Sequence, residues 1–163
     1  FFVFCQAVSG TRVSPRGTVV PGTEWVRYTS PPMKFDLVDM VLEQEAGRIV
    51  TIKQVTLAEE YLADHFPSFP ILPGVLMLEA MVQAASKLLA PSGERLVLGE
   101  VKAVKYGAMV RPGDSLRVEV TAGATKEDST TPCKGSGTVL RRDSSETMTA
   151  VAGRFTMRPA RIE

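Results

Sequence analysis

This sequence predicts an α+β domain on three observations. One long helix-forming run is apolar nearly all round, a series of β-branched segments separated by turn residues follows it, and the length suits a single core. The 163 residues lie in the range that one hydrophobic core organises. Nineteen Lys and Arg against eighteen Asp and Glu leave a formal charge of +1, so no global field draws nucleic acid or an anionic membrane. An acidic partner has to be met by a local patch.

Residues 1–32 are rich in Gly, Pro, Ser and Thr and hold neither a period of 2 nor one of 3.6, which predicts a poorly structured leader. The first methionine is Met33, where patterned sequence begins; a native start there, with non-native residues upstream, is the expectation, and residues 33–163 form the domain. The opening "FFVFCQAV" is short, lacks preceding basic residues and reaches no cleavage pattern, so secretion is not expected. From Phe35, "FDLVDMVLE" predicts a short helix grouping Phe35, Leu37, Val38, Val41 and Leu42 on one side. "GRIVTIKQVTL" is β-branched and roughly alternating, and predicts a strand.

"HFPSFPILPGVLMLEAMVQAAS", residues 65–86, contains the only histidine of the chain. Its prolines fix φ and push the residues before them toward extended backbone, so the stretch from His65 to the helix start is stiff. A helix follows from about Pro73 to Ala90, ended by "PSG". Beyond it, strands are expected at about 95–110, 115–125, 133–142 and 146–158, separated by "RPGD", "KEDSTTP" and "RRDSS".

The helix is too interrupted to span a bilayer, because Glu79, Gln83 and Lys87 break its apolar run. Glu79, Gln83 and Ser86 share one face at i, i+4, i+7 spacing, a narrow polar stripe on an otherwise greasy rod. A buried unpaired polar group costs about 1–3 kcal/mol, so Glu79 needs a partner, a proton or a function. Read singly, Glu79 is as readily a solvated helix residue, and His65 a structural histidine. Together with Gly74, whose amide opens the helix and whose missing Cβ admits a ligand, they set a base, an acid and an oxyanion donor within fifteen residues. Cys5 and Cys133 match no metal or disulfide spacing, which predicts a reduced, cytoplasmic setting and no metal site.

The 65–86 segment closely resembles the active-site segment of the hot-dog-fold 3-hydroxyacyl-acyl carrier protein dehydratases of type II fatty-acid synthesis. The likeness rests on the His-Phe-Pro opening, the Pro-Gly helix start, Glu79 fourteen positions after His65, and Gln83 four further on. A weaker likeness runs from about Phe35 to Met157 and includes "YGAMVRPGDSL". The resemblance implies a curved antiparallel sheet wrapped around a long helix, a homodimer, and an acyl carrier protein as partner, with no cofactor. By the same resemblance His65 and Glu79 are the catalytic pair, contributed to one site by opposite subunits. Gly74 contacts the thioester carbonyl, the Ile71 carbonyl orients the histidine, Gln83 supports the carboxylate, and Tyr106 fills a position that is often aromatic.

Dehydration requires a proton to leave C2 and another to reach the departing hydroxyl, and neutral imidazole is available near neutral pH for the first task. Two roles are open to Glu79: a protonated acid, favoured by an apolar setting, or a carboxylate that positions water while His65 carries the proton both ways. Glutamate rather than aspartate at this position favours dehydration without isomerisation in the family. The sequence departs from the family pattern at Ser68, where glycine is usual, and at Gly107 and Ala108, where basic residues are common. Lys102, Lys105, Arg111, Arg141 and Arg142 are the remaining candidates for carrier-protein docking. A hot-dog thioesterase and a non-catalytic acyl-carrier-binding subunit are the competing readings.

Overall fold

The computed structural model describes residues 35–90, 94–142 and 144–161. The leader expected over 1–32 and the start expected at Met33 lie outside them. Six strands, β1 (Met40–Glu45), β2 (Arg48–Gln54), β3 (Leu96–Tyr106), β4 (Ser115–Ala122), β5 (Thr131–Arg141) and β6 (Ser144–Pro159), form one antiparallel sheet ordered β1-β2-β4-β5-β6-β3. The helix α1 (Gly74–Leu89) joins β2 to β3, on the far edge of the sheet. Its chain therefore crosses the sheet, and α1 packs against β2, β3, β4, β5 and β6.

Period-2 alternation gives the sheet two chemically different faces. Leu116, Val118 and Val120 of β4 are fully buried, while Arg117, Glu119 and Thr121 between them turn outward. The buried face of α1 presents Met77, Ala80, Met81, Val82, Ala84 and Ala85, and its short alanines let the helix sit close to the strands. Phe155, Met157, Val151 and Ile49 complete the core from β6 and β2. Burying a side chain of Val, Leu or Met size contributes about 1.5–3 kcal/mol, so this layer is the main source of stability.

The helix expected from Phe35 to Glu43 does not form. Residues 35–38 hold no regular secondary structure, and Met40–Glu45 is a strand whose backbone pairs with β2, from Met40 opposite Ile52 to Glu45 opposite Arg48. A tight turn at Ala46–Gly47 closes the hairpin, and Gly47 takes φ +78°, a left-handed conformation suited to glycine. The expected apolar grouping is split accordingly: Leu37 and Val38 are buried, whereas Phe35, Val41 and Leu42 are exposed. Paired backbone outweighed a helical spacing only a few residues long.

The other expectations are close. β3 ends at Tyr106 rather than near 110, although the amides of Gly107 and Ala108 still reach the Ala150 and Thr149 carbonyls. A short 3-10 turn at Glu60–Leu62, unforeseen in the sequence, leads into the proline-rich loop. Lys53 lies opposite Leu116 on the helix-facing side of the sheet and is 6% exposed. Its ammonium bonds Asp39 at 3.2 Å and Glu59 at 2.8 Å, linking β2 to the residues that flank it.

Candidate active site

The loop ahead of α1 is held by its own backbone. The Ile71 amide donates to the His65 carbonyl at 2.9 Å, and the Leu72 amide donates to the Val110 carbonyl at 2.8 Å, which anchors the loop beyond β3. Between them Phe66 and Phe69 close a turn through the Phe69 amide and the Phe66 carbonyl, 2.9 Å apart. Ser68 sits in that turn without positive φ, so the glycine usual in similar segments is not needed here. The His65 ring stacks on Phe66, with centroids 4.5 Å apart.

His65 Nδ1 lies 3.0 Å from the Ile71 carbonyl oxygen. A carbonyl only accepts, so this contact places the proton of the neutral ring on Nδ1 and leaves the Nε2 lone pair free to act as a base. Half-buried Glu79 stands one and a half turns into α1. Gln83 Nε2 donates to Glu79 Oε1 at 3.0 Å and to the Phe35 carbonyl at 2.9 Å, while Gln83 Oε1 accepts from the Leu37 amide at 2.7 Å. The amide of Gln83 is thus oriented by backbone on both sides, and it holds Glu79 by one oxygen. The remaining Oε2 is the one available to carry or receive a proton.

Gly74 opens the helix. The amides of Leu76 and Met77 both turn back to the Pro73 carbonyl, leaving the Gly74 amide at the exposed end of the helix dipole. A Cβ on Gly74 would meet the Tyr106 ring, whose Cε1 would lie 2.9 Å away, so the missing side chain lets the aromatic ring lie across the helix start. Tyr106 is 52% exposed and is therefore free at its outer edge.

The expected site residues thus fall into three contacts: His65 with Ile71, Glu79 with Gln83, and Gly74 with Tyr106. His65 and Glu79 do not hydrogen-bond to each other within the chain. Ser86, the third member of the polar stripe, instead donates to the Val82 carbonyl and satisfies itself. The segment Phe35–Leu37 was missed by sequence reasoning, since nothing local to it announces a bond to a residue 46 positions away. Among the basic candidates, Arg111 lies 4.1 Å from the Phe69 ring centroid and Arg141 approaches Asp114 at 3.8 Å. Both adjoin the His65 loop through Phe69 and the Arg111–Asp114 turn. Lys102 pairs with Glu100 at 3.0 Å, and Lys105 and Arg142 are exposed.

A family model described as a FabA-like domain matches residues 30–145. The 3-hydroxyacyl-acyl-carrier-protein dehydratase FabZ of Oenococcus oeni is 42% identical over 97 residues, 56% of this chain and 70% of that protein. The FabZ of Solibacter usitatus is 42% identical over 91 residues, 53% of this chain and 56% of that protein. The chain thus spans between 56% and 70% of the length of these two curated relatives. Among solved structures, an acyl-CoA hydrolase from Bacillus cereus matches with a TM-score of 0.56 at 19% identity, covering 70% of this chain and 66% of that one. A dehydratase heterocomplex from Xenorhabdus doucetiae matches with a TM-score of 0.51 at 20% identity, covering 73% and 96%. At such identities these structures speak for the hot-dog fold, a helix enclosed by a curved antiparallel sheet, and for nothing finer.

Proposed function

The chain belongs to the FabA-like family, and on that premise we propose that it removes water from a (3R)-3-hydroxyacyl thioester carried on acyl carrier protein, giving the trans-2-enoyl thioester. The observation that carries this reading is the bond from His65 Nδ1 to the Ile71 carbonyl. It fixes the tautomer whose Nε2 can accept the C2 proton. Glu79, held through Oε1 by Gln83, delivers its Oε2 proton to the C3 hydroxyl as the C3–O bond breaks and water departs. The electron pair of the C2–H bond becomes the new double bond. The imidazolium and carboxylate left behind return to their starting states by proton transfer from one to the other, directly or through water.

Negative charge builds on the thioester oxygen while C2 is losing its proton, and the Gly74 amide at the start of α1 is suited to stabilise it. A comparable oxyanion donor is worth about 2.7–4 kcal/mol. His65 and Glu79 form no bond within one chain, which supports a site shared between two copies, His65 from one and Glu79 from the other. The domain in this reading comprises residues 33–163 of the chain, works in the reduced cytoplasm, and receives the acidic carrier protein on the Arg111 and Arg141 side of the His65 loop.

The test is to incubate the protein with 3-hydroxyacyl-acyl carrier protein of several chain lengths and to follow the thioester by mass. Loss of water, and its reversal with the enoyl form, is the expected result. Release of free carrier thiol instead would assign a thioesterase, and binding without conversion in either direction would assign a carrier-protein-binding subunit.

A further inference from the structure

On the outer face of the sheet, away from α1, the strand register sets three cations side by side. Lys134 of β5 lies opposite Arg154 of β6, and Arg154 lies opposite Lys102 of β3; on the other side of Lys134 the row runs on through Thr121 of β4 to Arg48 of β2. Directly opposite residues of antiparallel strands have Cβ atoms about 4.5–5.5 Å apart, and like charges there destabilise the sheet. All three side chains are exposed. The row spans about 10 Å from the Lys134 strand to the Lys102 strand, at the usual spacing between strands.

The other half of the same face is arranged differently. Arg48 meets Glu43 at 2.7 Å and Glu119 at 3.0 Å, and Arg117 meets Glu119 at 3.2 Å, so the cations near β1 are matched by carboxylates. Among the described residues no carboxylate lies within ion-pair distance of Lys134 or Arg154. Lys102 has only Glu100, in a pair whose side chains are both at least 60% exposed and which water screens. The row also borders a groove of about 380 Å³, which Lys126 and Pro132 line with it. Thr121 and Thr156 also line it.

We propose that this groove binds a compact phosphorylated anion, with Lys134, Arg154 and Lys102 converging on a diphosphate. Arginine supplies a planar fork for two phosphate oxygens, and the two lysines supply point charges on flexible stems. One phosphate is too short to engage a row of this length, whereas a diphosphate meets all three cations. Pro132, beside the cations, gives a neutral moiety attached to it an apolar surface to rest on. A groove of this volume suits a small molecule. The site lies on the face opposite the helix and stands independently of the dehydration chemistry.

The experiment is calorimetric titration of the full chain with inorganic diphosphate, ADP and orthophosphate at one ionic strength, repeated with the double variant Lys134→Gln, Arg154→Gln. Saturable binding of one diphosphate group per chain, weaker for orthophosphate and weakened about tenfold or more in the double variant, is expected. ADP binding more tightly than inorganic diphosphate would identify a nucleotide-like ligand, and equal affinities a site that reads the phosphates alone; both support the proposal. The unliganded double variant should melt no lower than the parent, because like charges have been removed. Lys102→Gln, at the sheet edge, repeats the test singly should the double variant melt lower. Absence of saturable binding, or equal affinity in parent and variants, would overturn the proposal. So would an equal loss from Arg158→Gln, outside the groove, which would show diffuse charge attraction. Loss of carrier-protein binding in the double variant without any diphosphate binding would assign the row to protein docking and overturn it as well.

Discussion

Two polar clusters flank the core of this protein, and they differ in what they leave unsatisfied. Around Lys53, the ammonium reaches Asp39 Oδ1 and Oδ2 and Glu59 Oε1, while Asp39 Oδ2 also accepts the Gln54 amide. Around the helix start, His65 commits only Nδ1 and Glu79 only Oε1. The Lys53 ammonium is saturated by these contacts and ties β2 to the residues that flank it. The second cluster is rigid on one side of each group and open on the other, which is what proton transfer to an incoming substrate requires.

The largest effects should come from the open cluster. His65→Ala and Glu79→Gln should each lower dehydratase turnover by about 10²–10⁴-fold, the usual weight of a positioned acid or base, while thermal melting shows both folded. Mixing the two dead variants sharpens the comparison. If each site draws His65 from one copy and Glu79 from the other, the mixed dimer regains one working site. Random reassortment should then restore about a quarter of parental activity in an equimolar mixture. No recovery, with exchange verified by mass, would place both groups in one chain.

Gln83→Leu comes next, with turnover expected to fall about 10–100-fold, as when a supporting polar partner is lost around a fixed ligand. The variant also frees the Phe35 carbonyl and the Leu37 amide, so a lower melting temperature should accompany the loss. A drop in stability with unchanged turnover would show that Gln83 belongs with the structural cluster and not with the catalytic one.

Lys53→Met tests the cluster around Lys53 and should do the reverse. Its expected cost is about 1–3 kcal/mol of stability at neutral pH, read by denaturant melting, with no change in the turnover of folded protein. Burial pulls the Lys53 ammonium toward losing its proton, but hydrogen bonds to Glu59 and Asp39 outweigh it and hold the group above its ordinary value of 10.5. A raised folded-state value means that the contribution is complete below about pH 10.5 and is lost as the pH rises through the raised value. The stability gap between parent and variant should therefore be constant near neutrality and close in strong alkali. A gap that stays open in strong alkali would show that another group carries it.

The same contrast explains what could be read from the sequence. The geometry of the 65–86 segment was legible because its constraints are local: prolines, the Pro-Gly helix start and the four-residue step from Glu79 to Gln83 all act within one stretch of chain. The strands after the helix were legible from alternation, which survives because one face is buried and the other is charged. β1 was not, because Phe35, Leu37, Val38, Val41 and Leu42 mimic a helical stripe, while the pairing that makes Met40–Glu45 a strand is supplied by β2. Lys53 was likewise hidden within a β-branched run, since its partners Asp39 and Glu59 lie outside that strand. The bond from Gln83 to Phe35 and Leu37 required the helix and the entry to β1 to be in place together.

Cys133 gives the smallest and sharpest contrast with the open cluster: a titratable group that is buried and whose thiol is shifted by burial alone. Burial pushes its thiol from 9.0 up to about 11, and its Sγ has only the Thr131 carbonyl at 3.7 Å. At a given pH near neutrality, that shift alone leaves about a hundredfold less thiolate than an ordinary thiol has. In a Cys5→Ser background, a thiol reagent should therefore modify Cys133 at least about a hundredfold more slowly in the native protein than in denaturant. The rate should climb with pH until it passes the raised value. Fast native labelling that stays flat with pH would mean that the thiol is deprotonated by a neighbour, and would move Cys133 from the inert groups to the reactive ones.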